Sequence, residues 1–92
     1  MNKSQKNKIA AEMLKAIAHP IRISIVELLA NSGQMNVTEI FNTLNIKQAI
    51  ASHQLNTLKN KGVLNSEREG KKTYYSIKHP NIITAVNLLL KI

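Results

Sequence analysis

The spacing of the apolar residues changes twice along this chain, and these changes restrict the folds that it can adopt. Between residues 9 and 58 apolar side chains recur every three or four positions, which is typical of amphipathic helices. Residues 63–68 and 71–77 instead have the character of two strands, joined as a hairpin around Glu69-Gly70. Helical spacing returns after Pro80. The chain is therefore predicted to be mainly α-helical with one small β-hairpin, an α+β fold.

A proline signal separates the first two helices. Residues 9–18 form the first predicted helix, whereas residues 1–8 are polar and are expected to be flexible. His19-Pro20 ends this helix, because a residue before proline avoids helical angles, while proline itself suits the first turn of a new helix. The second helix is predicted to end near Asn31-Ser32-Gly33.

Capping patterns mark the next two helices. Asn36, with Glu39 three residues later, resembles a capping box and opens a short third helix. Asn45 and Gln48 repeat this spacing and predict the start of a fourth helix. With a last helix near the C-terminus, the prediction is about five helices and a two-stranded wing in one domain over residues 1–92.

Positive charge is concentrated in the second half of the chain. The whole sequence has 13 Lys and Arg against 5 Asp and Glu, a formal net charge of +8. Residues 45–80 alone hold seven basic and two acidic residues. A basic segment of this kind indicates a polyanionic partner, with nucleic acid first and an anionic membrane surface second. The alternative is a lysine-rich surface that is merely solvated.

A chain of 92 residues has a thin core, which disulfides, metals or a partner chain usually supplement. The sequence has no cysteine, which excludes disulfides, thiolate metal sites and thiol catalysis. A partner chain is therefore the expected supplement. The last helix carries a wide apolar stripe that suits such a contact, with packing onto its own domain as the alternative. This stripe consists of Ile82, Ile83, Val86, Leu89 and Leu90.

Two short helices joined by a tight turn and followed by a basic hairpin are typical of a winged helix-turn-helix. In that fold the fourth helix, residues 47–60, lies in the DNA major groove, and the wing, residues 66–74, reaches the neighbouring backbone or minor groove. Ser, Gln and Asn can hydrogen-bond to base edges, whereas lysine suits phosphate. An inward orientation is the alternative for Gln54. The predicted DNA-binding residues are Lys47, Gln48, Ala49, Ser52, His53, Gln54, Asn56, Lys59, Arg68, Lys71 and Lys72.

Three segments resemble the ArsR/SmtB family of bacterial metal-responsive repressors. Ser52-His53-Gln54-Leu55 is similar to part of the family's recognition helix. The segment 68–75, Arg-Glu-Gly-Lys-Lys-Thr-Tyr-Tyr, resembles its wing, including the paired tyrosines. Ala18-His19-Pro20-Ile21-Arg22 is similar to the start of its second helix. The matching order covers roughly residues 9–90, which is more specific than any single motif.

The resemblance implies a homodimer built from the first and last helices, and so adds Ile9 and Met13 to the expected dimer interface. It also implies that the dimer binds an inverted repeat in double-stranded DNA and represses a promoter until a signal releases it. The sequence leaves the nature of this signal open. A small molecule, a partner protein, an unusual metal site and the absence of any signal are all compatible with it.

The chain departs from the family at its sensing motifs. Many members have Cys-Val-Cys-Asp-Leu on the third helix, where this chain has Asn36-Val37-Thr38-Glu39-Ile40. Other members bind zinc between their last helices, where this chain offers His79 and otherwise mainly apolar residues. One histidine per subunit does not make a tetrahedral zinc site. No metal, no other cofactor and no cysteine-based redox sensing are therefore expected.

Other functional classes fit the sequence less well. Ser52 has no Gly-x-Ser-x-Gly elbow around it, and five scattered acids form no catalytic pair, so no catalytic residue and no enzyme activity are predicted. A winged-helix module that binds proteins and a sequence-tolerant architectural DNA-binding protein are the two alternatives to a regulator. No apolar run approaches the roughly 20 residues of a membrane span, so we expect a soluble cytoplasmic protein.

Overall fold

The computed structural model describes all 92 residues and contains five α-helices and a three-stranded antiparallel sheet. The helices are α1 (Lys3–Ile17), α2 (Pro20–Ser32), α3 (Val37–Leu44), α4 (Gln48–Asn60) and α5 (Pro80–Leu89). The strands are β1 (Met35–Asn36), β2 (Leu64–Glu69) and β3 (Lys72–Ile77). The predicted order of four helices, a hairpin and a last helix is confirmed.

The first helix, α1, begins earlier than predicted. Asn2 is its N-cap: Gln5 N donates to Asn2 Oδ1 at 2.9 Å, and Asn2 N donates to Gln5 Oε1 at 2.9 Å. This capping box starts the helix at Lys3. The sequence prediction rested on apolar spacing, which is missing before Ile9, and therefore placed the start too late. The predicted flexibility of residues 1–8 concerns motion and stays a prediction.

The end of α2 and the start of α3 follow the predicted signals. Pro20 is the first residue of α2, and Gly33 follows its last residue with a φ of 84°, which glycine adopts without strain. Glu39 N donates to Asn36 Oδ1 at 2.9 Å, and Asn36 N donates to Glu39 Oε1 at 3.0 Å. The predicted capping box of α3 is confirmed.

The predicted cap of α4 is wrong. Asn45 instead ends α3 in a left-handed conformation with a φ of 54°, which asparagine tolerates better than most residues. Lys47 is the N-cap of α4, and its side chain makes no capping hydrogen bond. Asn45 cannot adopt the extended backbone of an N-cap while it ends the preceding helix, so α4 begins at Gln48 without a side-chain cap.

The wing is the antiparallel hairpin of β2 and β3, which turns at Gly70-Lys71. Strand β1 adds a third strand on the other edge of β3 by pairing Met35 with Tyr75 and Asn36 with Tyr74. The sequence predicted only the two strands of the hairpin, because a strand of two residues is too short to show an alternating pattern. This third strand ties the start of α3 to the wing.

The core lies around α2, which contacts α1, α3, α4, α5 and β3. Its residues are nearly all aliphatic and come from every helix and from the β-hairpin region. The twelve members of the core are Ala16, Ile25, Val26, Leu29, Met35, Ile40, Leu55, Leu58, Val63, Leu64, Ile82 and Val86. This packing holds α3 against α4 and leaves the wing tip, residues 67–72, exposed.

The predicted apolar stripe of α5 is divided by the structure. Ile82 and Val86 are 7 % and 6 % exposed and belong to the core of their own domain, so their assignment to a dimer interface is corrected. Ile83 is half-buried, whereas Leu89 and Leu90 are exposed. Residues four apart share one helix face, which is why Ile82 and Val86 are buried together.

No helix of the structure is long and apolar enough to cross a membrane.

Candidate nucleic-acid interface

Helix α4 has one face in the core and one face in solvent. Ala51, Leu55 and Leu58 are fully buried at helical spacing and hold the helix against the domain. Its outer face carries exposed side chains that make no hydrogen bond and no ion pair within the chain. These outer residues are Gln48, Ala49, Ser52, His53, Asn56 and Lys59, with Lys47 just before the helix.

Gln54 is not part of this outer face. It is half-buried, and its Oε1 accepts a hydrogen bond from Arg22 Nε. Arg22 Nη1 also donates to the Ala16 carbonyl oxygen at 3.0 Å. Gln54 therefore connects α4 to α2 and, through Arg22, to the end of α1. Its amide oxygen is used inside the domain, and its assignment as a DNA-binding residue stays a prediction.

Arg22 has a structural role that was not predicted from the sequence. In the sequence it stands out only as part of the segment that resembles the start of the family's second helix. Its guanidinium is part-buried, has no carboxylate partner, and uses two neutral acceptors from α1 and α4. Nothing in the sequence pairs it with Gln54, 32 positions away, so only the folded structure reveals this contact.

The wing carries exposed basic side chains at its tip. Arg68 Nε donates to the Gly70 carbonyl oxygen at 3.2 Å, which fixes the arginine along the turn. Lys71 and Lys72 are exposed and form no ion pair, and neither does Glu67 or Glu69. The wing lysines are therefore not engaged in ion pairs within the chain, although Glu67 and Glu69 lie on the same hairpin.

The wing and α4 line one cleft of about 240 Å³. The start of α3 completes the cleft, so three separate parts of the chain meet there. All but one of the lining side chains are polar, and two are lysines. The lining residues are Asn36, Val37, Thr38, Gln48, Ser52, Lys71, Lys72 and Thr73. Thr38 and Thr73 were not among the predicted DNA-binding residues, because neither lies on the recognition helix or in the turn of the wing.

We use the name α4–wing surface for the exposed predicted DNA-binding residues of α4, of the residue before it and of the wing tip. All of the predicted DNA-binding residues except Gln54 are exposed and belong to it. The surface consists of Lys47, Gln48, Ala49, Ser52, His53, Asn56, Lys59, Arg68, Lys71 and Lys72.

A second set of exposed side chains is apolar and belongs to α1, to α5 and to the residue that follows α5. Among the predicted dimer residues, Ile9, Leu89 and Leu90 are exposed, while Met13 and Ile83 are half-buried. Two further exposed leucines were missed because helical spacing alone did not distinguish inner from outer positions. We call Ile9, Leu14, Leu88, Leu89 and Leu90 the α1/α5 apolar set.

No group of three or more His, Cys, Asp or Glu residues in the structure could hold a metal ion. In the segment that matches the family's cysteine motif, Asn36 and Glu39 are engaged in the capping box, and Thr38 is exposed at the cleft. This segment therefore caps a helix and lines a polar cleft in the present chain.

Comparison with known proteins gives consistent matches over the whole domain. Residues 19–66 match the family described as bacterial regulatory protein, arsR family. The chain is 39 % identical over 79 residues to the transcriptional repressor PagR of Bacillus anthracis, covering 86 % of this chain and 79 % of that protein. The crystal structure of PagR superimposes with a TM-score of 0.88 at 36 % identity, covering 95 % of this chain and 99 % of PagR.

A solution structure from Mycobacterium bovis is also similar. It is described as a homodimeric winged helix-turn-helix DNA-binding domain of a possible ArsR-family transcriptional regulator. Its TM-score is 0.83 at 29 % identity, with 97 % of this chain and 82 % of that chain covered. The fold class predicted from the sequence, a winged helix-turn-helix, is confirmed by these structures.

Proposed function

The chain belongs to the arsR family of bacterial regulatory proteins, and from this membership we propose that it is a homodimeric repressor that binds an inverted DNA repeat. As a member of this family it is a transcriptional regulator with a winged helix-turn-helix fold. The repressor role is inferred from PagR, which is named a transcriptional repressor. The dimer is inferred from the homodimeric domain of M. bovis.

The observation that carries the proposal is the outer face of α4. A helix of 13 residues presents Gln48, Ser52, His53 and Asn56 to solvent, and none of these side chains has a partner in the chain. The DNA major groove is wide enough for one helix, and such side chains can donate to and accept from base edges there. We assign base recognition to these four residues, with Ala49 available for contact with a thymine methyl group.

The basic residues of the α4–wing surface serve a different purpose. Lys47 and Lys59 stand at the two ends of α4, and Arg68, Lys71 and Lys72 lie at the wing tip. Phosphate contacts supply affinity without sequence information, and they make binding depend strongly on salt. We assign these five residues to the DNA backbone.

The α1/α5 apolar set supplies the second half of the proposal. Ile9 on α1 and Leu89 at the end of α5 are 49 % and 70 % exposed, and burying such apolar side chains against a partner is favourable. A second copy buries such residues in a symmetric contact, in which the same surface is used twice. Met13 and Ile83 lie half-buried and complete this interface from the side of the core.

Release from DNA is the open part of the regulation. No cofactor is part of the proposal, and a small molecule or a protein is the proposed class of effector. Such an effector must bind the DNA-competent and the incompetent forms with different affinity. We propose no enzymatic activity, and we place the regulator in the cytoplasm, where the DNA of a bacterial cell lies.

Selection from a library of random duplexes tests this function. The expected result is enrichment of an inverted repeat with half-sites about one helical turn apart, bound by two chains per duplex. Binding without enrichment of any sequence would contradict base recognition and favour an architectural DNA-binding protein, which the net charge of +8 would support. A lack of DNA binding at low salt would favour a protein-interaction module.

A further inference from the structure

We propose that the cleft between α3, α4 and the wing binds one phosphate of the DNA backbone, and that Thr38 and Thr73 are DNA contacts. The proposal rests on the DNA-binding function above and adds a specific subsite to it. Thr38 lies in the first turn of α3, before the recognition helix, and Thr73 lies in β3. Both line the cleft together with Ser52 and the two wing lysines.

Three unused hydroxyl groups meet at this cleft. Thr38, Ser52 and Thr73 come from α3, α4 and β3, and none of their hydroxyls makes a hydrogen bond within the chain. Hydroxyl groups elsewhere in the chain that do form hydrogen bonds, for example on Ser24 and Thr57, donate to backbone carbonyls of their own helix. The Thr38 and Thr73 hydroxyls suit an acceptor from outside the chain, and phosphate oxygens are such acceptors, whereas Ser52 between them stays assigned to a base edge.

The charge of the cleft has one sign. Lys71 and Lys72 line it, no Asp or Glu does, and neither lysine has an ion-pair partner. Glu39, the acid nearest in sequence to Thr38, is engaged with the Asn36 backbone at 3.0 Å. A polar cleft with two ammonium groups and no carboxylate selects an anion.

The position of the cleft selects a phosphate of the DNA backbone as that anion. Gln48 and Ser52 line the cleft and also belong to the face of α4 that enters the groove. A helix in the major groove is flanked by the two phosphate backbones of the duplex. The cleft therefore lies where one of these backbones passes between α4 and the wing.

The sheet explains how Thr73 reaches this site. Side chains two apart in a strand share one face, and Tyr75 and Ile77 pack against the core. Thr73 continues their face one step beyond the core, toward the start of α3. Pairing of β1 with β3 holds the start of α3 beside this strand. The wing and α4 thus contact the same phosphate backbone. The wing lysines then bind phosphate and do not enter the minor groove.

Thr38→Val tests the subsite, because valine keeps the shape of threonine and removes only the hydroxyl. The matched control is Thr43→Val, an exposed threonine at the other end of α3. We expect Thr38→Val to weaken binding of the dimer about tenfold or more, equally on the selected duplex and on random duplex, with unchanged thermal unfolding. Thr43→Val should bind like the wild type.

A second pair of variants tests the charge. Lys72→Gln should lower the slope of log affinity against log salt by about 0.9 for each phosphate that the protein no longer neutralises, whereas Lys78→Gln, beyond the far end of β3, should leave the slope unchanged. Single methylphosphonate linkages in the selected duplex then locate the phosphate. At one linkage in each half-site the neutral group should weaken the wild type more than it weakens Thr38→Val, which has already lost one of the contacts to that phosphate.

The outcomes separate the subsite from the function. Wild-type affinity of Thr38→Val, or a weakening restricted to the selected duplex, overturns the subsite while DNA binding stands. Methylphosphonate effects that add fully to the effect of Thr38→Val at every linkage also overturn it. If the wild-type protein binds no DNA, the proposed function fails and the subsite fails with it.

Discussion

Two regions of this small domain leave side chains without partners, and they differ in chemistry. The α4–wing surface exposes amides, hydroxyls and lysines whose side chains make no hydrogen bond or ion pair within the chain, apart from the hydrogen bond of Arg68 to the Gly70 carbonyl. The α1/α5 apolar set exposes isoleucine and leucine. An unpartnered polar or basic surface is well hydrated, whereas exposing an apolar set to water is unfavourable in free energy. The two regions therefore indicate two different partners: a polyanion for the first and a second copy for the other.

The comparison also shows how the two regions are connected. Arg22 donates to Ala16 at the end of α1 and to Gln54 in the middle of α4. Glu12 of α1 forms an ion pair with Lys61, just after α4, at 3.2 Å. The helix proposed for the dimer is thus held directly against α4, so that in the proposed dimer the interface would set the spacing of the two α4 helices.

The largest expected effect comes from placing a charge in the apolar set. Leu89→Glu should raise the dissociation constant of the dimer by about a hundredfold or more, because the symmetric interface would bury two unpaired carboxylates. Sedimentation equilibrium measures this constant. Asn87→Glu adds the same charge at a neighbouring exposed polar position and should leave the dimer intact. An unchanged dimer in Leu89→Glu would break the distinction between the two regions.

The contact that joins the regions should have the next largest effect. Arg22→Met removes the donors to Gln54 and to the Ala16 carbonyl and leaves two part-buried acceptors unpaired. We expect a decrease of about 2 kcal/mol in the free energy of unfolding, measured by urea denaturation. Arg68→Met at the wing tip removes an exposed arginine and should leave stability unchanged. Equal free energies of unfolding for Arg22→Met and Arg68→Met would contradict the proposed role of Arg22 in holding α1 and α4 together.

Within the α4–wing surface, base and phosphate contacts should be separable. Ser52→Ala should lower the affinity for the selected duplex about tenfold, since one good base contact discriminates by about 1–3 kcal/mol, and should affect random duplex much less. Ser4→Ala on α1 is the exposed control. Fluorescence anisotropy measures both affinities. An equal decrease on both duplexes would make Ser52 a phosphate contact only.

The smallest effect is expected for the surface ion pair between α1 and the end of α4. Glu12 and Lys61 are both about half exposed in their side chains, so Glu12→Gln should cost at most about 0.5 kcal/mol of stability. Glu27→Gln, an exposed acid without an ion pair, is the control in the same thermal unfolding measurement. A decrease above about 1 kcal/mol would show that this pair contributes more than an exposed ion pair usually does.

The sequence predicted those parts of the fold that have local signals. Pro20, Gly33 and the Asn36–Glu39 box each act through a few neighbouring backbone groups, and all three mark helix ends in the structure. The outer face of α4 was also predictable, because helical spacing separates buried Leu55 from its exposed neighbours.

Other features depend on contacts between distant residues. Asparagine is suited both to ending α3 and to capping α4, and only the conformation of the turn between the two helices shows that Asn45 ends α3. The last helix is so apolar that periodicity could not separate Val86, in the core, from the exposed leucine at 89. The position of Thr38 at the cleft depends on the pairing of β1 with the wing, which no local pattern contains.

The central claim is that the unpartnered outer face of α4 recognises a specific DNA sequence. Fluorescence anisotropy of the wild-type protein on the selected duplex and on a scrambled duplex of equal length, over a series of salt concentrations, tests it most directly. We predict a preference of about a thousandfold or more for the selected duplex, as is typical of specific regulators, together with a steep decrease of affinity for both duplexes as salt rises. Equal affinities for the two duplexes at every salt concentration would contradict the claim.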